Sequence, residues 1–274
     1  MSRTVVDEPH YVDVMRKLLA ILAVAATTAA GLVASSPHRV VASASGPGLD
    51  VLFVGNSLIG TPARTGEDTP DVVRRMAKET GRTLRVAKVI RFGSTLRKSW
   101  DAGPARAALS GSVKYDVIVL QEYSTLVAGD PAQAEATLLG TYAPALARSL
   151  KPGGRVVLFK NWAVLKAAPF ASRDDYLAAI DSGYANLAGR LSALSLPTVV
   201  APISDEFETV RRRGGAGPLI VPDGKHPTGQ AVYLDAATLY GVIFGHSPRD
   251  LPNLFVPTAT AGRLRDVAAT ALGY

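Results

Sequence analysis

Val51-Leu52-Phe53-Val54 is an unbroken apolar run, too short for a helix and rich in β-branched and aromatic residues. Such a run predicts a strand covered on both faces, because a strand with one wet face would alternate. The same signature marks Leu84–Ile90, Tyr115–Leu120 (with Val-Ile-Val-Leu at its centre), Arg155–Phe159 and Thr198–Ala201; the first strand as a whole spans Leu49–Val54. Between them the spacing changes. Tyr176, Ile180, Tyr184, Leu187 and Leu191 recur at threes and fours and predict a helix over Asp174–Leu194. Helices are also predicted over Asp71–Thr80, closed by Gly81, over Pro104–Leu109, over Asp205–Arg213 and over Thr228–Phe244. Pro131–Leu150 reads as one long helix in which Pro144 sets a kink. Lys151-Pro152-Gly153-Gly154 predicts a turn, and the Gly- and Pro-rich stretch from Gly214 to Gly224 a loop. Strands alternating with helices predict the α/β class: a three-layer α/β/α arrangement around a parallel sheet of about five strands.

The N-terminal pattern is of another kind. Met15-Arg16-Lys17 is basic, Leu18 to Val33 is apolar apart from Thr27, Thr28 and Gly31, and Ala42-Ser43-Ala44 offers a small-x-small cleavage site. Residues 1–44 are expected to be a signal peptide, and residues 45–274 a single domain. The acidic residues Asp7, Glu8 and Asp13 suit a signal poorly, so translation is expected to start at Met15. The apolar run is shorter than the roughly 20 residues that span a bilayer; an uncleaved anchor is the alternative. The expected location is secreted or periplasmic, in the cell envelope, with no stable membrane span after cleavage.

Composition narrows the chemistry. At 274 residues and 47% hydrophobic content the chain can bury one sizeable core. There are no cysteines, which excludes disulfides, thiolate nucleophiles and Cys-ligated zinc. Of the four histidines, His10 and His38 fall in the targeting segment, leaving His226 and His246. With two isolated histidines, no metal and no cofactor is expected. The net charge of +7 comes without an aromatic-interleaved basic stripe, so no nucleic-acid partner is expected. Arg211-Arg212-Arg213 reads as the solvated end of a helix, and Gly214-Gly215-Ala216-Gly217 lacks the setting of a phosphate loop.

Two short stretches carry candidate chemistry. Gly55-Asn56-Ser57 follows the first strand, and ligands of open α/β sheets bind at the carboxyl ends of strands. Asp223 and His226 stand three residues apart just before the last predicted helix. That spacing can set a carboxylate against one imidazole nitrogen and leave the other for a serine hydroxyl. A capping serine and a helix-start aspartate are the plainer alternatives. His246 has no acid at comparable spacing and reads as a surface residue.

Together, Gly-Asn-Ser after the first strand, Asp-x-x-His before the last helix and the block Val221 to Tyr233 (with Gly229 and Tyr233-Leu234) resemble the SGNH hydrolases, the GDSL-type esterases and lipases. The resemblance runs over about Leu49 to Gly245 and implies a flavodoxin-like sheet. It implies Ser57 as nucleophile, His226 as general base and Asp223 as its orienter. The family's glycine after the second strand is matched by Gly93, which with the Ser57 N–H is a candidate oxyanion donor. The third element departs: Gly-x-Asn-Asp is replaced by Leu120-Gln121-Glu122. The Gln121 amide is the expected third donor, with Ser124 and Thr125 as weaker alternatives, although Gln121 could equally be satisfied by backbone. Asn56 replaces the family's aspartate and keeps its size and acceptor oxygen. Asn56, Asn161 and Trp162 are further candidates for contact with substrate. The implied activity is hydrolysis of short-chain, acetyl-type esters on a small molecule or polysaccharide. A lipase or thioesterase, or a non-catalytic carbohydrate-binding protein on the same fold, are the alternatives.

Overall fold

The computed structural model describes residues 48–165 and 170–274, so the expected signal peptide lies outside the described residues. Leu49–Gly55, Leu84–Ile90, Tyr115–Leu120, Leu150–Phe159 and Thr198–Ala201 form strands β1 to β5 of one sheet, all parallel, in the order β2-β1-β3-β4-β5. Val51 to Val54 of β1 are wholly buried, as the unbroken apolar run requires. This order reverses direction between β1 and β3, the switch point where doubly wound sheets open a crevice at their carboxyl edge. The strand exits there are kept level: Arg91 N donates to Gly55 O at 2.9 Å and Gln121 N to Val54 O at 2.9 Å.

Helices flank the sheet: Ser57–Gly60 (α1), Thr69–Glu79 (α2), Leu96–Asp101 (α3), Pro104–Ser110 (α4), Leu126–Gly129 (α5), Pro131–Glu135 (α6), Ala143–Ser149 (α7), Arg173–Ala193 (α8), Ile203–Arg213 (α9), Gly229–Phe244 (α10) and Thr258–Ala271 (α11). The caps follow sequence chemistry. Asp68, Thr95, Ser172 and Thr228 each accept an N–H of the first turn they precede. α2 meets α10, which meets α11; α4 meets α7, and α5 meets α8. From Ala231 to Phe244 every residue of α10 is buried, which is why it shows no polar face. The burial extends to two acids: Asp235 of α10 and Glu206 of α9, whose Oε2 accepts from Thr238 Oγ1 at 2.6 Å. Burial pushes both carboxyls well above the usual range.

Three expectations change. The long helix over 131–150 is divided by a π-helical stretch, Ala136–Tyr142, ahead of Pro144. In an α-turn the Pro144 ring would collide with the carbonyl of Gly140, and the wider register avoids it. Lys151 to Gly154 is an irregularity inside β4, which pairs Leu150 with Tyr115 and resumes at Arg155 opposite Val117. Helices α1, α3, α5 and α11 are additional. The buried face of α11 includes Ala261, Ala268 and Ala269, small residues that leave only a faint apolar period.

Candidate active site

Ser57 begins α1 directly after β1 and is buried. Gly55 gives it room rather than an unusual backbone angle. A Cβ there would lie 2.7 Å from Ile59 Cγ2 and 2.9 Å from Gln121 Oε1. Asn56 is extended (φ −133°) and caps α1. Its Oδ1 accepts from Leu58 N at 3.2 Å, its Nδ2 donates to Ser94 O at 3.1 Å, and its N–H donates to Gln121 Oε1 at 2.8 Å. An aspartate could not donate to the Ser94 carbonyl, which accounts for the asparagine. Asn56 thus sets the Ser57 turn, with its backbone N–H, its Oδ1 and one Nδ2 hydrogen all bonded within the protein.

His226 lies in the loop before α10, with Nε2 3.0 Å from Ser57 Oγ and Nδ1 2.6 Å from Asp223 Oδ2. The other carboxylate oxygen accepts from the N–H groups of Lys225 (2.8 Å) and His226 (3.0 Å). The His226 ring bond first, and those two backbone bonds next, hold the Asp223 carboxyl down at about 2. An ionised Asp223 calls for a proton on Nδ1, which leaves the Nε2 lone pair facing the Ser57 hydroxyl. The loop is itself tied down. Val221 N donates to His226 O, Leu165 N to Gly224 O, and Trp162 Nε1 to Lys225 O at 3.0 Å. Lys225 Nζ sits 4.4 Å above the Tyr123 ring.

Trp162 is fully buried and stacked on Phe207, with ring centroids 4.3 Å apart and planes 5° from parallel. It supports the Asp223–His226 loop from beneath and does not face a substrate. Asn161 is buried too; its Nδ2 donates to the carbonyls of Glu122 (2.8 Å) and Tyr123 (3.3 Å).

Gly93 occupies a turn after β2 at φ +69°, the left-handed region that favours glycine. Ser94 N closes that turn on Arg91 O at 3.1 Å. Among the described residues, neither the Gly93 N–H nor the Ser57 N–H has a hydrogen-bond partner. Gln121 is different. It is wholly buried, its Oε1 is held by Asn56 N, and its Nε2 donates both to Asn161 Oδ1 at 3.0 Å and to the Glu122 carbonyl. Both of its amide hydrogens are therefore engaged, and the expected role as an oxyanion donor does not fit. Gln121 instead braces the Ser57 turn from the exit of β3. The hydroxyls of Ser124 and Thr125 make no hydrogen bond among the described residues, and Ser124 is buried.

Glu122, which its sequence context gave no role, stands beside Gln121 at the exit of β3. Its side chain is buried, with Oε1 accepting from Leu96 N at 3.0 Å and Tyr123 N at 2.6 Å. Burial raises its carboxyl to about 6. An acid two residues after the apolar run Val117–Leu120 was the available signal. His246 follows the last turn of α10, about 24 Å of helix away from the His226 end, at 1.5 Å per residue. Among the described residues, no group of three or more His, Asp or Glu is arranged to hold a metal ion.

No protein-family model matches this sequence, and no curated protein matches it significantly. Solved structures do. A candidate SGNH hydrolase from Slackia heliotrinireducens is 22% identical, with 72% of this chain and 100% of that one covered and a TM-score of 0.55. A DUF4886 family protein from Bacteroides uniformis is 14% identical, over 83% of this chain and 96% of that one, with a TM-score of 0.67. An acetylxylan esterase from Geobacillus stearothermophilus is 14% identical, over 73% of this chain and 95% of that one, with a TM-score of 0.53. At these identities the likeness is one of architecture, and the chain has the fold of the SGNH hydrolases.

Proposed function

We propose that this protein is a serine ester hydrolase of the SGNH type. The observation that carries the reading is the continuous relay from Ser57 Oγ through His226 to Asp223, at 3.0 Å and 2.6 Å. In this reading His226 Nε2 takes the Ser57 proton as Oγ attacks an ester carbonyl. The tetrahedral oxyanion is met by the N–H groups of Ser57 and Gly93. Collapse expels the alcohol, which receives the proton from His226, and leaves an acyl-serine that water hydrolyses by the same relay. Asp223 keeps the imidazole in the required tautomer and balances its positive charge.

The acetylxylan esterase neighbour supports short acyl groups on carbohydrate as the substrate class. Export, read from residues 15–44, would place the enzyme where polysaccharides are met. Rates on p-nitrophenyl acetate and p-nitrophenyl octanoate test activity and acyl length together, with the acetate ester expected to be faster. A fluorophosphonate probe should label Ser57 and leave Ser57→Ala unlabelled. Labelling and turnover that persist in Ser57→Ala would refute the reading. Mass spectrometry of the native protein should find an N-terminus near Ser45, and an intact Met1 would count against export.

A further inference from the structure

Gln121 and Asn161 each commit both amide hydrogens within the protein, and Asn56 Nδ2 commits one of its two to Ser94 O beside Gly93. The N–H groups of Ser57 and Gly93 remain, and they belong to different loops. A donor pair split between two loops is useful only if the loops are fixed to each other, since a misplacement of about 1 Å can cost about 100-fold in rate. Two ties hold the Gly93 turn. On one side Asn56 Nδ2 reaches Ser94 O at 3.1 Å. On the other, Glu122 Oε1 accepts from Leu96 N at 3.0 Å, where the turn enters α3. The same oxygen accepts from Tyr123 N at 2.6 Å, so one atom joins the exit of β3 to the exit of β2. Tyr142 Oη donates to Leu96 O at 2.8 Å and clamps the same residue from below.

The choice of residue is costly for mere packing. Glu122 is buried, and among the described residues its Oε2 has no hydrogen-bond partner. A buried carboxylate that uses one oxygen on two N–H groups gives up solvation in return for strong, short bonds. We propose that Glu122 is a positioning residue of the oxyanion hole: its carboxylate locks the 91–96 turn to the end of β3, so that the Gly93 and Ser57 N–H groups converge. This rests on the esterase reading. It also accounts for the Leu120-Gln121-Glu122 stretch: Gln121 braces the nucleophile turn and Glu122 the glycine turn, so two loops are held where a side-chain donor would otherwise be supplied.

The test uses the full chain with Glu122→Leu, Glu122→Gln and Leu96→Pro. Leucine removes the acceptor, while glutamine keeps an acceptor oxygen. Proline deletes the Leu96 N–H at the first position of α3, where it fits a helix start and an extended preceding residue. Glu122→Leu should lower kcat about 100-fold with KM little changed, as loss of one oxyanion donor does. Glu122→Gln should restore most of that, and Leu96→Pro should cost about ten-fold. Amide hydrogen exchange over 93–96 should rise in Glu122→Leu and return toward the parent in Glu122→Gln. Parent-like kcat in folded Glu122→Leu overturns the proposal; if that variant does not fold, parent-like kcat in Leu96→Pro does so. If the parent neither hydrolyses the esters nor takes the phosphonate label, the esterase reading fails. The exchange measurement then decides alone, and unchanged protection over 93–96 refutes the lock.

Discussion

Ser57 and His226 are 169 residues apart in the chain, yet Oγ and Nε2 meet at 3.0 Å. The meeting is made by two short loops on rigid supports: Asn56 and Gln121 hold the serine turn, and Trp162 holds the carbonyl of Lys225 beneath the histidine. Preorganisation of this kind lets proton transfer begin without a search over rotamers.

The two histidines of the described chain should therefore behave differently. His226→Ala is expected to lower kcat on p-nitrophenyl acetate by about a million-fold, as loss of a triad base does. His246→Ala, at the far end of α10, should leave kcat unchanged. Steady-state kinetics of the two purified variants checks the ranking.

Asp223 should remain ionised throughout the working range, because its carboxyl is held at about 2 by the His226 ring. A lowered carboxyl is lost as a charge only when pH falls through its folded value, so the acid limb of the rate profile should not arise from Asp223. Asp223→Asn should lower kcat by about 1,000- to 10,000-fold through the wrong tautomer. Its thermal midpoint should barely move, since the side chain is half exposed. Kinetics and melting curves on the same preparation separate the two effects.

Gln121→Leu should be a stability variant first. It leaves Asn56 N–H and Asn161 Oδ1 without their partner in a buried setting. Such losses cost about 1–3 kcal/mol each, so the urea midpoint should fall clearly. Turnover per folded molecule should fall too, because the Ser57 turn loses its brace. A variant as stable as the parent would show that water or a neighbour replaces the amide.

Stability should decline as pH rises above the ordinary carboxylate range. Glu206 and Asp235 are raised by burial, with Asp205 adding to the effect on Glu206 and Glu206 adding to that on Asp235. A group whose folded value is raised stabilises the protein below its unfolded value and loses that contribution as pH rises through the folded one. Asp50, held at about 2 chiefly by its bond to Arg85, acts in the opposite sense, but only in strong acid. The melting temperature should therefore be higher at about pH 5 than at about pH 8. Asp235→Asn should flatten that dependence. Scanning calorimetry across the range, on parent and variant, measures it.

The order of strands and helices was legible in the sequence, because period and apolar run length report directly on burial and β2, β3 and β5 begin and end where the pattern places them. Ser57, Asp223 and His226 were legible as candidates for a similar reason. Each stands at a strand exit or helix start, and one acid three residues from one imidazole has few uses. The roles of the amides were not legible. Gln121, Asn161 and Asn56 carry the same groups whether they face a substrate or the protein, and only the fold shows that each is surrounded and bonded. Trp162 reads alike as a sugar platform and as a core ring until Phe207 is found stacked on it. Glu122 shows the limit most clearly. Its partner Leu96 N is 26 residues away on another strand's exit, and a backbone N–H leaves no mark in a sequence. Local chemistry is written in residue types, whereas hydrogen-bond partners between loops are fixed by how five strands align their ends, and that alignment belongs to the tertiary structure.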